Sequence, residues 1–172
     1  TIELYEAIEF PFKWKHKLNL MEDVGAVDTT LIYKDNKWWL FVGIAEDKNL
    51  ADHNDSAYNT EVFLFYSNDL FTKDWQPHPM NPIVSDVRNA RPAGSIIEKD
   101  GKILRPAQDC SIRYGYSVNI NEIITLSETT YSEKTVSSIT PSEKGIYGVH
   151  TIANENNLTI LDAVMMKSKF FQ

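Results

Sequence analysis

Residues 29–44, TTLIYKDNKWWLFVGI, decide the fold. Two short runs rich in β-branched and aromatic residues, Thr29 to Tyr33 and Trp38 to Ile44, flank Lys34-Asp35-Asn36-Lys37. Branched and ring side chains suit a pleated, half-buried surface, and Asp-Asn tolerates the positive φ that a two-residue hairpin turn demands. The segment therefore predicts strand, tight turn, strand. The pattern returns twice. SIIE at 95–98 meets Lys99-Asp100-Gly101-Lys102 and then Ile103-Leu104. HTIA at 150–153 meets Asn154-Glu155-Asn156-Asn157 and then LTIL at 158–161. Asp-Gly is the stronger form of the same hairpin signal.

A second kind of unit also repeats. Glu3-Leu4-Tyr5 leads to Phe10-Pro11-Phe12-Lys13-Trp14, and Phe63-Leu64-Phe65-Tyr66 leads to Asp69-Leu70-Phe71 and Trp75. Tyr5 and Tyr66, like Trp14 and Trp75, stand 61 residues apart. YSVNINEII at 116–124, followed by Tyr131, is a degenerate third copy. The order is an outer strand pair at 1–24, whole four-stranded units at 25–85 and 86–142, and an inner strand pair at 143–172. Such a repeat predicts an all-β protein, a partial β-propeller of four-stranded blades forming the C-terminal portion of a longer ring. A β-sandwich of consecutive hairpins is the alternative. Half-blades at both ends lead us to expect a fragment, or self-association through unpaired blade edges.

The totals bound the rest. With 172 residues, 42% hydrophobic and 24% charged, the chain has the composition of one globular domain with its own core. The net charge of −7 makes nucleic acid and anionic membranes poor partners. No apolar run approaches the roughly 20 residues of a spanning helix. No leader is legible, although the chain begins at Thr1 rather than Met. The lone Cys110 excludes an internal disulfide and a Cys-based zinc site, so a cytoplasmic location is expected.

In a propeller the starts of the inner strands gather at one mouth of the central channel. Three segments qualify: AVDT at 26–29, ARPAG at 90–94 and GVHT at 148–151. They bring a carboxylate (Asp28), a guanidinium (Arg91) and an imidazole (His150), a set able to hold a polar ligand. Asp28 could equally cap a turn, Arg91 bridge two blades, and His150 be structural. The densest polar stretch, LRPAQDCSIRYGY at 104–116, adds Arg105, Gln108, Asp109, Arg113 and Tyr114 as ligand-binding candidates. Arg and Asp bind vicinal hydroxyls and Tyr offers a stacking face. A buried network between blades would use the same residues. The acidic stretch EDKNLADHND at 46–55 lacks calcium-loop spacing, so no metal and no cofactor is expected. His16, His53 and His78 read as surface residues, and Trp38 and Trp39 as blade-packing residues.

The stretches AVDTTLIYKDNKWWLF, HPMNPIVSDVRNARPAGSIIEKDGKILRPAQDCSIRYGYSVNINEI and GVHTIANENNLTILDA carry a family resemblance. They resemble bacterial proteins with a five-bladed propeller similar to the arabinanase and invertase clan of glycoside hydrolases. That propeller is also similar to the N-terminal region of plant glucosamine inositolphosphorylceramide transferases, and in some bacterial members it follows a formyltransferase-like domain. The likeness runs from Glu3 to Asp162 and is most specific in ARPAG and RPAQDC. It implies that earlier blades lie upstream. It also implies that Asp28 occupies the third of three inner-strand acidic places, where the clan usually has a Glu acid. Three functions follow as expectations: a non-catalytic carbohydrate-recognition or accessory domain, a glycoside-hydrolase-like enzyme with Asp28 as its catalytic residue, or a structural propeller for protein contacts. A sugar or glycan is the expected ligand of the first two.

Overall fold

The computed structural model describes residues 1–45, 58–141, 145–155 and 158–166, and the hairpin turns fall where the sequence puts them. Asp35 and Asn36 have φ of 52° and 60°, and Asp100 and Gly101 have 51° and 74°. Positive φ at both central residues gives the turn whose twist matches the flanking strands. Glu155 pairs with Leu158 at the third turn. The acidic stretch at 46–55, with His53, lies outside the described residues.

Four antiparallel sheets result. β1 (Ile2–Glu9) pairs with β2 (Lys13–Met21). β3 (Ala26–Lys34), β4 (Lys37–Ile44), β5 (Glu61–Ser67) and β6 (Gln76–Pro77) form a meander, with β7 (Val84–Ser85) also on β5. β8 (Ile97–Lys99), β9 (Lys102–Asp109), β10 (Ser117–Leu126) and β11 (Tyr131–Ile139) form the next, and β12 (Ile146–Glu155) pairs with β13 (Leu158–Met165). The protein is all-β: among the described residues there is no α-helix, and so none long and apolar enough to cross a membrane.

A sheet apolar on both faces must be covered on both, and here the second and third sheets are covered on each face by a neighbour, the first and fourth on one. Ile2 and Leu20 pack with Leu40, Val42 and Trp75 between the first two sheets. Ile32, Trp39, Phe41, Val62 and Leu64 pack with Ile123 and Tyr131 between the second and third. Ala93, Val118 and Ile120 pack with Val149 and Ile152 between the third and fourth. The core is thus three layers between stacked sheets. Trp39 is buried in the middle layer, as expected of a packing residue, while Trp38 packs at the edge of the first. Trp14 and Trp75 donate their indole N–H to the carbonyl three residues earlier, Pro11 at 2.9 Å and Thr72 at 3.2 Å. Their burial differs: Trp75 is covered by the first sheet, whereas Trp14, on the outer side of that sheet, is half exposed.

One surface expectation is corrected. His78 is 2% exposed: its Nδ1 accepts from the Met80 amide and its Nε2 reaches the Ser127 carbonyl, tying the β6 loop to the turn before β11. That turn belongs to another sheet, so nothing local in the sequence marks the partner.

The innermost strand of each larger sheet, and β12, is interrupted at a similar height. In β3, Val27 faces Gly43 and Thr30 faces Phe41, leaving Asp28 and Thr29 opposite one residue. In β12, Val149 faces Ala163 and Ile152 faces Leu161, leaving His150 and Thr151 opposite Asp162. Between them, Pro92 bridges Ala107 and Ile97 faces Leu104, which inserts two extra residues around Gly94. Pro106 lies opposite this break. Its carbonyl still accepts from the Ala93 amide at 3.1 Å, and its missing N–H falls where the ladder is already open.

The break also brings chain against chain. The Ile152 amide donates to the Ala93 carbonyl at 2.8 Å, and a β-carbon on Gly94 would stand 2.0 Å from the Ile152 carbonyl oxygen. Gly94 also has φ of 117°. Gly94→Ala should therefore destabilise the fold by more than the about 1–3 kcal/mol of a strained backbone alone. Denaturant unfolding checks this; a midpoint equal to that of the unsubstituted protein would remove Gly94 from the closure.

Candidate functional site at the inner-strand mouth

The bulge in β3 turns Asp28 out of the ladder. Its φ of 48° lies in the left-handed region, within a strand rather than a hairpin turn. A short polar residue tolerates this conformation, and such outliers concentrate where the surrounding structure holds them for use. One carboxylate oxygen, Oδ2, accepts from Arg91 Nε at 2.7 Å. Arg91 Nη1 donates to Asn59 Oδ1 at 2.9 Å, and its guanidinium carbon sits 4.7 Å from the centre of the Tyr114 ring. The Arg91 side chain is 9% exposed and that of Asp28 33%, so the cation is sheltered and the anion faces outward.

Tyr114 comes from the loop between β9 and β10. The turn there needs Gly115, whose φ is 63° and which lies against the His150 ring. The Tyr114 hydroxyl is hydrogen-bonded to His150 Nε2, and His150 Nδ1 is 3.2 Å from Asp162 Oδ2. Burial pushes the Tyr114 phenol above its ordinary value; Arg91 pulls the other way and Asp28 adds to the rise. Donors and acceptors then match along the chain if Tyr114 donates to Nε2 and the imidazole carries its proton on Nδ1. Asp162 Oδ1 accepts the two amides freed by the β12 bulge, from His150 at 3.0 Å and Thr151 at 2.6 Å. Burial would raise the Asp162 carboxyl, but the Thr151 and His150 amides and the His150 ring together hold it below 3.8.

A depression of about 350 Å³ lies beside these groups, lined by Asp28, Thr29, Thr30, Gly94, Ser95 and Thr151 among others. The Thr30 hydroxyl is buried there with no hydrogen-bond partner among the described residues. No group of three His, Cys, Asp or Glu able to hold a metal occurs among the described residues.

Asp28, Arg91, Tyr114 and His150 are thus brought together from three sheets. The other candidates are placed differently. Arg105 is fully buried: Nε and Nη2 bind both oxygens of Glu133, at 2.8 and 2.6 Å, and Nη1 and Nη2 donate to the carbonyls of Ala90 and Asn89. The expectation that it meets a ligand beside Arg91 gives way to a sealed network between sheets, because its position on β9 aims it into the interior. Gln108 is also fully buried, its amide on the Pro92 carbonyl at 3.2 Å, beneath the mouth. Asp109 holds its own turn through the Ser111 amide and hydroxyl at 2.9 and 2.6 Å. Arg113 is stacked between the rings of Tyr116 and Tyr147, 4.8 and 3.6 Å from their centres, and bonds the Tyr147 carbonyl. Cys110 is a buried thiol whose pKa burial pushes up.

Sequence reasoning missed Asn59, Asp162 and Glu133. Asp162 interrupts the apolar run of β13, and that was the available signal. Asn59 sits in a connection whose spacing predicts nothing.

Residues 1–169 match the family described as glucosamine inositolphosphorylceramide transferase 1, N-terminal. The chain belongs to this family. Glucosamine inositolphosphorylceramide transferase 1 of rice (Oryza sativa subsp. japonica) is 32% identical over 147 residues, 84% of this chain and 19% of the rice protein. The Arabidopsis thaliana protein of the same name is 32% identical over 149 residues, 84% of this chain and 18% of its own length. The chain thus spans about a fifth of the length of these relatives. Among solved structures, the Bacteroides ovatus xyloglucan PUL GH43B covers 95% of this chain and 31% of its own, with a TM-score of 0.56 and 14% identity. A family 117 glycoside hydrolase of the marine bacterium Zobellia galactanivorans covers 80% of this chain and 36% of its own, with a TM-score of 0.54 and 12% identity. At that identity the likeness is one of fold, that of β-propeller glycoside hydrolases.

Two outcomes follow from the site's electrostatics. A folded-state carboxyl held below 3.8 gives its stabilisation in full above that pH and loses it as pH falls through the lower folded value. Protection of the His150 and Thr151 amides, measured against their intrinsic exchange rates at each pH, should therefore fall on acidification below 3.8, and Asp162→Asn should abolish that pH-dependent loss. Protection that stays unchanged in the unsubstituted protein would remove Asp162 as the anchor of the bulge. Glu133→Ala, which strands the buried Arg105 charge, should lower stability by about 3–5 kcal/mol in denaturant unfolding; a loss below about 1 kcal/mol, the range of exposed pairs, would show the network is not sealed.

Proposed function

We propose that this chain is part of a carbohydrate-recognition propeller serving a glycan-modifying protein, with the inner-strand mouth as its sugar site. The observation that carries the reading is the convergence of Asp28, Arg91, Tyr114 and His150 beside a depression whose wall holds the unpartnered Thr30 hydroxyl. A sugar ring presents hydroxyls that both donate and accept. Asp28 offers a carboxylate oxygen, Oδ1, with no hydrogen bond among the described residues, Thr29, Ser95 and Thr151 offer hydroxyls, and Tyr114 is half exposed beside them. A cavity of about 350 Å³ fits one or two such rings. The names of the relatives and of the solved propellers, a glycolipid transferase and glycoside hydrolases, support a glycan ligand.

Hydrolysis is the second reading, favoured by the shared propeller fold. Glycosidic cleavage uses a pair of carboxyl groups about 5–10 Å apart across the bond. Among the described residues Asp28 is the single carboxylate lining the depression, and Asp162 is engaged behind His150. Recognition therefore fits this site better than catalysis. The proposal includes the ring itself: five blades, with the exposed apolar side chains of β1–β2 (Tyr5, Trp14) and of β13 (Leu158, Ile160, Val164) covered by further blades.

Arg91→Ala in the intact protein removes the group on which both Asp28 and Tyr114 rest. Calorimetry against a panel of methyl glycosides should show affinity falling about tenfold or more, the loss of one charge-assisted hydrogen bond of about 1.5–3 kcal/mol. Asp28→Asn, which keeps the shape, should weaken binding in the same sense. Unchanged affinity in both, for a glycoside the unsubstituted protein binds, would reject the mouth as the sugar site.

A further inference from the structure

A second depression, of about 370 Å³, lies away from the mouth and shares no lining residue with it. It runs between the connection that carries β7 and the outer strand β11, with β10 as its floor. Asn121, on that floor, is 1% exposed. Its Oδ1 accepts from the Thr135 hydroxyl at 2.7 Å, while its Nδ2 is buried without a hydrogen-bond partner among the described residues. A buried amide donor left unmade costs its full desolvation, so a fold that keeps one beside a cavity this size leaves it for something that enters.

The surroundings say what enters. Two carboxylates line the same space, Asp86 and Glu133. Glu133 is tied to the buried Arg105 through both oxygens. Asp86 Oδ1 accepts from the Arg88 amide and Nε at 3.0 and 3.2 Å, and Oδ2 accepts from Asn89 Nδ2 at 3.2 Å. Each carboxylate has its charge answered by an arginine, and Glu133 Oε2 also accepts from the Tyr131 hydroxyl; Glu133 Oε1 and Asp86 Oδ2 accept one bond each and keep a lone pair for a further donor. A bare cation would meet the N–H of Asn121, the Lys134 ammonium and two neutralised pairs; an anion would meet two carboxylates, with Lys134 at the rim paired to Glu122 at 3.6 Å. The groups that remain inside are one amide donor, carboxylate acceptors and the hydroxyls of Ser132 and Thr135. They match a neutral ligand that donates and accepts through adjacent hydroxyls, in a space the size of a sugar ring.

We infer that the cleft between the β7 connection and β11 is a second carbohydrate site, taking a neutral polyhydroxylated ring with Asn121 Nδ2 as the donor that fixes it. It stands apart from the mouth, so a glycan carried there can be held at two places on one domain.

The experiment titrates the labelled intact protein with methyl β-D-glucopyranoside, methyl β-D-galactopyranoside and methyl α-D-mannopyranoside, and with sodium acetate, reading the amide shifts of Ser132 and Thr135. A saturable shift with at least one glycoside is expected. Asn121→Leu and Thr135→Val should each weaken it about five- to tenfold, and Arg91→Ala should leave it in place. Thr135, on an exposed part of β11, keeps the test open if the Asn121 variant fails to fold. No saturable shift with any of the three glycosides, a response unchanged in the folded variants, or a stronger response to acetate would each overturn the assignment. Shifts at Tyr114 and His150, followed in the same spectra, report on the mouth separately.

Discussion

Ile152 gives its amide to the Ala93 carbonyl at 2.8 Å, and its own carbonyl lies where any side chain on Gly94 would collide. That contact locks the inner edge of the third sheet against the inner edge of the fourth. It also fixes the height at which Arg91, three residues before Gly94, meets what the neighbouring strands present. A second close approach, Gly148 against the Gly115 carbonyl, where a β-carbon would stand 2.2 Å away, seats the Tyr114 loop on β12. Backbone-to-backbone approach of this kind allows no slack. The side chains above inherit a geometry accurate enough for one arginine to hold a carboxylate from one sheet and an asparagine from another connection.

The bulges are what this closure makes room for. An extra residue in a strand leaves amides without ladder partners, and a buried unpaired amide is costly. In β12 the Asp162 carboxylate takes both freed amides and the His150 ring as well, so one side chain stabilises the bulge and orients the imidazole. In β3 the left-handed turn at Asp28 points its carboxylate at Arg91. Structural repair and site construction use the same groups at both places, which is why the polar residues gather here and not along the regular parts of the strands.

The hairpins were legible because Asp35-Asn36 and Asp100-Gly101 carry their backbone preference within two residues. The 61-residue spacing of Trp14 and Trp75 goes with a repeated local hydrogen bond, indole N–H to the carbonyl three residues earlier. Asp28, Arg91 and His150 can be picked out by counting back from the turns, but matching Lys37 to Lys102 sets Asp28 opposite Ala93 rather than Arg91. The ladder explains the offset: two extra residues intervene between Pro92 and Ile97 where β3 has one, so Arg91 stands one rung nearer to Asp28. Bulges are invisible to a count. Arg105 shows a different limit. Its neighbours in sequence, Pro106, Gln108 and Asp109, are as polar or irregular as those of a mouth residue. Only the register of β9 against β10 and the proximity of Glu133 on β11 reveal that its side chain is sealed inside.

The two arginine–carboxylate pairs divide the chemistry between them. Arg105 and Glu133 have side chains 1% and 10% exposed, and every Glu133 oxygen is engaged. Such a pair answers its own desolvation and has little left to offer a ligand at the mouth. Arg91 and Asp28 differ in one respect: the Arg91 side chain is nearly as sheltered, at 9%, but the carboxylate side chain is 33% exposed and its Oδ1 has no hydrogen bond among the described residues. Shielding the cation while opening the anion keeps the pair's orientation fixed and leaves an acceptor facing water. The same interaction is thus sealed in one layer and open to solvent in the next, and the difference lies in where the strand ladder breaks.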